Sequence, residues 1–224
     1  MPTNYNIQAE IIDIRTDTPQ AVDVLLVDTN VWFWMTYSKA GHTAQAHQMI
    51  NYPKYLSMAI SANAQLLRSG LSFAELAHLI EKTEREIYEG VNGPIQAKEY
   101  RHTLSSERAG VVSEVQSSWG QVKSMAASLD CPVTDLTTDS AATRFQEQLV
   151  DGHDLFILES MAREGVIQIL TDDADFSTIP GIQVFTANRN VINTAQTVGK
   201  LSQRRVTRAT GRGCVPGATH SPGG

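Results

Sequence analysis

The run VLLV at Val24–Val27 is apolar without interruption and ends at an aspartate. An alternating pattern marks a strand with one wet face. An unbroken run of Val and Leu suits a strand buried on both faces. Val166–Leu170 and Ile182–Phe185 read as further buried strands. Helical patterns lie between them. In AELAHLIEKTEREIYEG, Leu76, Leu79, Ile80 and Ile87 fall on one stripe. Thr138 and Asp139 are placed to cap a helix running through Leu149, and Asp151 to cap DLFILESMAREG, which Gly165 stops. Strands separated by helices predict an α/β fold, a parallel central sheet with helices on both faces.

The other segments carry weaker patterns. Residues 1–22 are polar and read as an N-terminal arm. Helical regions are predicted at His42–Ile50 and at Lys54–Leu67, the second stopped by Gly70, with a short strand at Leu71–Phe73. Val111, Val115, Trp119, Val122, Met125 and Ala126 recur at helical spacing. They predict one long helix or a hairpin, a helical insertion over about 90–130. Cys131–Leu136 reads as another strand. The domain is expected to span 23–190, and 191–224, rich in Gly, Thr, Arg and Pro, to form a disordered basic tail.

A chain of 224 residues suffices for one domain with a full core. No run reaches the ~20 apolar residues that span a membrane. MPTNYNIQAEIIDIRTDTPQ lacks the basic and apolar regions of a signal peptide, and a cytoplasmic location is expected. Two cysteines, Cys131 and Cys214, stand far apart, without the spacing of a disulfide framework or a zinc site. Charge is lopsided. Residues 187–224 hold six basic residues (Arg189, Lys200, Arg204, Arg205, Arg208 and Arg212) and no acid, against a net charge of −6 for the whole chain. An acidic body disfavours broad nonspecific binding to nucleic acid.

Carboxylates recur where strands end. Asp28 follows the first buried run, Glu75 begins a helix, Asp154 begins another, and ILTDDADF places Asp172, Asp173 and Asp175 after an apolar run. In a parallel sheet these positions share the carboxyl edge, where such folds bind ligands. Alone, each acid is an ordinary turn, capping or helix-dipole residue. Together they would repel one another and take up protons unless a cation sat among them. A hard ion such as Mg²⁺ prefers oxygen ligands and is held by a few carboxylates and a substrate phosphate.

These pieces resemble the PIN-domain family of metal-dependent nucleases: LLVDTNVW (25–32), LSFAELAHLI (71–80), DGHDLFILESMAREG (151–165) and ILTDDADF (169–176), in family order. The resemblance implies a PIN-like fold and a Mg²⁺- or Mn²⁺-dependent ribonuclease. By it, Asp28, Glu75, Asp154 and Asp173 are the catalytic, metal-holding acids. Asp175 is an accessory acid, and Asn30 and Thr171 orient a carboxylate or a water. Asp172 occupies a variable place. The implied partners are an RNA substrate, a homodimer mate and, in toxin-like members, an antitoxin protein covering the cleft. The 79 residues from Glu75 to Asp154 exceed the spacing of compact bacterial members.

Other readings stay open at this point. A PIN-like module that binds RNA or protein without cutting is the main alternative. A receiver domain would begin with paired acids after the first strand. A haloacid-dehalogenase-like phosphatase would carry an acid where Asn30 stands. Trp32, Phe33 and Trp34 read as core, and Arg68, Lys39 and Arg163 as phosphate contacts or plain surface charges.

Overall fold

The unbroken apolar runs do become strands covered on both faces. A computed structural model describes residues 5–204. In chain order the elements are β1 (Glu10–Asp13), β2 (Val24–Val27), α1 (Thr29–Thr36), α2 (Ala46–Ser61), β3 (Gln65–Ser69), α3 (Ser72–Asn92), α4 (Ala97–Thr103), α5 (Ser105–Met125), β4 (Ala127–Leu129), α6 (Asp135–Glu147), α7 (Gly152–Glu164), β5 (Gln168–Leu170), β6 (Gln183–Thr186), α8 (Arg189–Thr197) and β7 (Leu201–Ser202). All seven strands among the described residues are parallel, in the order β4-β3-β2-β5-β6-β1-β7. No helix among the described residues is long and apolar enough to cross a membrane.

Alternate residues of each strand enter different cores. Ile12, Leu25, Leu66, Leu170 and Phe185 pack with α1, α2, α3, α4 and α5. Ile11, Leu26, Leu67, Ile169 and Val184 pack with α6, α7 and α8. Strands this short carry few ladder bonds, so packing holds them: burying one Leu or Phe contributes about 1.5–3 kcal/mol. Trp32, Phe33 and Trp34 are buried, as expected of core residues.

Several local expectations are corrected. The arm contains β1, which pairs with β6 and β7 inside the sheet. The two helical regions before Gly70 are one helix, α2, with Pro53 in its interior and Tyr52, Tyr55, Leu56 and Ala59 buried along it. That packing offsets the lost backbone bond. The helix ends before Asn63, which takes a left-handed conformation at φ 59°; an Asn side chain tolerates it. Strand β3 thus falls at Gln65–Ser69, and Leu71–Phe73 instead starts α3. The 90–130 segment is a pair of helices, α4 and α5. The strand expected at Cys131–Leu136 lies earlier, at β4, since Pro132 has no N–H for a ladder. The α6 cap is Thr134, four residues before the expected Thr138, and it shares reciprocal bonds with Thr137.

The expected disorder beyond residue 190 is overturned as far as residue 204. Val191, Ile192 and Ala195 of α8 are buried, and β7 pairs with β1. Residues 205–224 of that tail lie outside the described residues. Arg204 donates to Asp17 and Asp23 and lies 4.7 Å from the Phe185 ring centroid. Through it the stretch after β7 pins the segment that crosses from β1 to β2. The side chains of Arg204, Asp17 and Asp23 are only 13%, 7% and 2% exposed. Arg204→Ala strands two buried carboxylates, a loss of roughly 3–5 kcal/mol. It should appear as a lower urea midpoint at unchanged slope. A shift within the ~1 kcal/mol of a surface pair would remove the clamp from the account.

Candidate functional site

The sheet order reverses between β2 and β5: the chain leaves β2 toward β3 on one side and β5 toward β6 on the other. Such a reversal opens a crevice at the carboxyl edge. Register places Val27 opposite Leu170, so Asp28 and Thr171 emerge side by side. Thr171 Oγ1 donates to Asp28 Oδ2 at 2.6 Å, and the Thr29 amide donates to Oδ1 at 2.6 Å. Asp28 is therefore both the N-cap of α1 and a carboxylate locked in one orientation. Thr171 also accepts from the Asp173 amide at 2.9 Å, fixing the turn after β5. Thr171 thus bonds both the Asp28 carboxylate and the turn that carries Asp173. Asn30 is half-buried in the first turn of α1, and its side chain makes no hydrogen bond among the described residues.

The three acids of ILTDDADF separate. Asp173 faces the crevice side, and its Oδ1 accepts from the Asp175 amide at 2.9 Å. Asp175 opens a single 3-10 turn. Asp172 turns away. It accepts from Tyr52 Oη at 2.6 Å and Gln48 Nε2 at 2.6 Å, while Asn188 Nδ2 bonds its carbonyl at 2.9 Å. The Tyr52 hydroxyl has one proton, which goes to the acceptor-only carboxylate. Its oxygen then accepts from the Ala187 amide at 2.9 Å and from Thr186 Oγ1 at 3.0 Å. Burial first, and Asp172 next, push the Tyr52 phenol well above its usual range, so it stays protonated. Tyr52→Phe removes this junction and leaves a buried amide unpaired, at a cost of roughly 2–3 kcal/mol. Amide hydrogen exchange should then speed at Ala187. Unchanged exchange and stability would show the junction to be idle.

Electrostatics tie the remaining acids into one group. Burial, then Glu75 and Asp173, push the Asp28 carboxyl up to about 7, with the Thr171 and Thr29 bonds opposing. Burial, then Asp28, Asp151, Asp173 and Glu75, push Asp154 up to about 9. Asp173 is raised by burial, Asp151 and Asp172, and Asp175 by burial, Asp173 and Asp151. Among the described residues, no Lys or Arg figures in the main charges acting on these four acids. Asp154, 9% exposed, accepts no hydrogen bond to its carboxylate among the described residues. Its acidity is spent on neither a cap nor a pair. Asp151 does cap α7, accepting from the His153 and Asp154 amides at 2.9 and 3.2 Å. It also belongs to the acid group, a role its capping signature conceals.

The structure thus brings Asp28, Glu75, Asp154 and Asp173 within one another's fields. Among the described residues, though, no three Asp, Glu, His or Cys side chains are gathered so as to hold a metal ion together. The two observations measure different things. Mutual repulsion acts over several ångströms, whereas a cage needs oxygens ~2.1 Å from one point. Mg²⁺ keeps several waters and uses one or two carboxylates plus substrate oxygens. An open, all-oxygen, uncompensated set fits that need. A cavity of about 590 Å³ opens at the opposite, amino-terminal edge, between Val24, Leu67 and Gln168. It contains none of these acids, and the crevice remains the place where chemistry is concentrated. No family model matches the chain, and no curated protein matches it.

Proposed function

We propose that this chain is a metal-dependent ribonuclease of the PIN type. The observation that supports it most is the burial of Asp28 and Asp154 in one another's field, with no ion pair among the described residues to offset them. A protein gains nothing structural from that arrangement, since each acid sits above its normal pKa at a cost in stability. A divalent cation removes the cost.

Asp28, Glu75, Asp154 and Asp173 are the residues that would hold Mg²⁺ or Mn²⁺. When bound, such an ion neutralises charge on a phosphodiester and makes water more acidic. The chain's own contribution is positional. Thr171 and the Thr29 amide hold Asp28 in one orientation, and Asp151 fixes the first turn of α7, on which Asp154 stands. The acid group also repels a scissile phosphate that enters the crevice without metal, so cleavage depends on the ion for seating that one phosphate as well as for chemistry. RNA as substrate, and a toxin role with an antitoxin lying over the crevice, follow from the PIN resemblance. A binding-only module would have no use for two buried, uncompensated carboxylates.

The test is incubation of a mixed structured and single-stranded RNA pool with Mg²⁺, with Mn²⁺ or with EDTA, beside Asp28→Asn. Cutting that requires metal and disappears in the variant supports the reading. A folded protein that cuts nothing under any metal overturns it in favour of the binding module.

A further inference from the structure

The three tryptophans differ in exposure. Trp32 and Trp34 are buried, while Trp119 on α5 is partly open. Phe73 packs edge-on against Trp119, with centroids 5.5 Å apart, yet remains 45% exposed. It lies in the first turn of α3, two residues before Glu75. Arg68 lies over the Trp119 ring, 5.3 Å from its centroid. On β3 it stands one residue beyond the partner of Leu26, level with Val27 and so at the same edge as Asp28. Its Nε is buried without an acceptor, and Nη1 has only a marginal 3.5 Å contact with Ser128 Oγ. Among the described residues this guanidinium, set against the Trp119 ring, has no carboxylate partner.

From Phe73 a cleft of about 450 Å³ runs between α3 and α5, past His78, to Arg101 and Arg108. That is within the ~300–1,000 Å³ of small-ligand clefts. Its apolar floor includes Val111 and Val115. Arg101 and Arg108 both pair with Glu81, leaving two guanidiniums for one carboxylate. This cleft starts at Phe73, two residues before Glu75, and is apolar along its floor, with a surplus of positive charge at its far end where Arg101 and Arg108 share Glu81.

We propose that Phe73, Trp119 and Arg68 seat one nucleotide of a single-stranded RNA beside the acid group, the base on the rings and a phosphate on the guanidinium. Base stacking on aromatic side chains with Arg support is how single strands are held without sequence preference. The surplus of positive charge at Arg101 and Arg108, and a guanidinium at Arg68 with no carboxylate partner among the described residues, favour a nucleic acid over a peptide. The inference rests on the ribonuclease reading for its choice of RNA.

The experiment uses the full chain in EDTA, titrated with hexa-adenylate while tryptophan emission is followed. Binding should quench Trp119. Phe73→Ala should weaken binding about 10-fold, as expected for losing one stacked base. Arg68→Met, which keeps an apolar stem on Trp119, should weaken binding and flatten its salt dependence. With Mg²⁺, the Phe73→Ala loss in cleavage should appear in KM. If the wild-type protein cuts RNA but Phe73→Ala binds and cuts like it, the seat is overturned and the ribonuclease reading stands. If nothing is cut but hexa-adenylate quenches Trp119 and Phe73→Ala abolishes this, the seat stands and the ribonuclease reading fails. Displacement of hexa-adenylate only by apolar peptide, with no effect of excess polyuridylate, would assign the cleft to a protein and overturn the proposal.

Discussion

Asp154→Asn is expected to make the metal-free protein more stable and the metal-loaded protein inactive. Asn has nearly the same shape and carries no charge. It removes the charge that burial first, and then the field of Asp28, Asp151, Asp173 and Glu75, penalise, pushing Asp154 up to about 9. The gain should reach a few kcal/mol near pH 8, seen as a higher thermal midpoint in EDTA. Cleavage with Mg²⁺ should fall by a factor on the order of 10² or more. A residue that merely supported the fold would move both quantities downward. A lower midpoint, or cleavage at the wild-type rate, would take Asp154 out of the site.

The second large effect is the pH dependence of the metal-free wild-type protein. Asp28 rises from 3.8 to about 7 and Asp154 from 3.8 to about 9 on folding. Acids with raised values bind more protons in the folded state, so their favourable contribution is complete below about pH 4. It is lost as pH climbs through 7 for Asp28 and on through 9 for Asp154. Thermal midpoints in EDTA should therefore decline from pH 5 to pH 9, by several kcal/mol in stability. Saturating Mn²⁺ should restore them most at the alkaline end, since binding to the folded state alone adds stability. Asp154→Asn should flatten the alkaline limb. Equal midpoints across this range in EDTA would show that the carboxylates are not buried together.

The parts of the fold legible in the sequence are those where local pattern and burial coincide. β2 matches its apolar run residue for residue, and β5 and β6 lie within one or two residues of theirs. All three are central, with their apolar residues covered on both faces. β1, β4 and β7 lie toward the margins of the sheet, where two to four residues of mixed character suffice. Nothing in EIID or LS announces a strand. The acids Asp28, Asp154 and Asp173 were legible because strand and helix ends position them. Asp172 was not, since its partners Tyr52 and Gln48 come from 120 and 124 residues away. Asp151 was visible only as a cap. Arg204 had no signature because its meaning depends on Asp17 and Asp23 across the whole chain.

The placement of β1 bears on how the molecule is made. Glu10 pairs with Gln183, 173 residues later, and Ile11 with Leu201. A ribosome adds ~5–20 residues per second, so β1 emerges on the order of ten seconds or more before either neighbour exists. Meanwhile β2 and β3 can pair and α1 to α5 can pack on them, as local contacts form first. The strand written first therefore enters the sheet late, after β6 and together with β7. Synthesis of β7 and Arg204, which close over β1, is the event that completes this sheet.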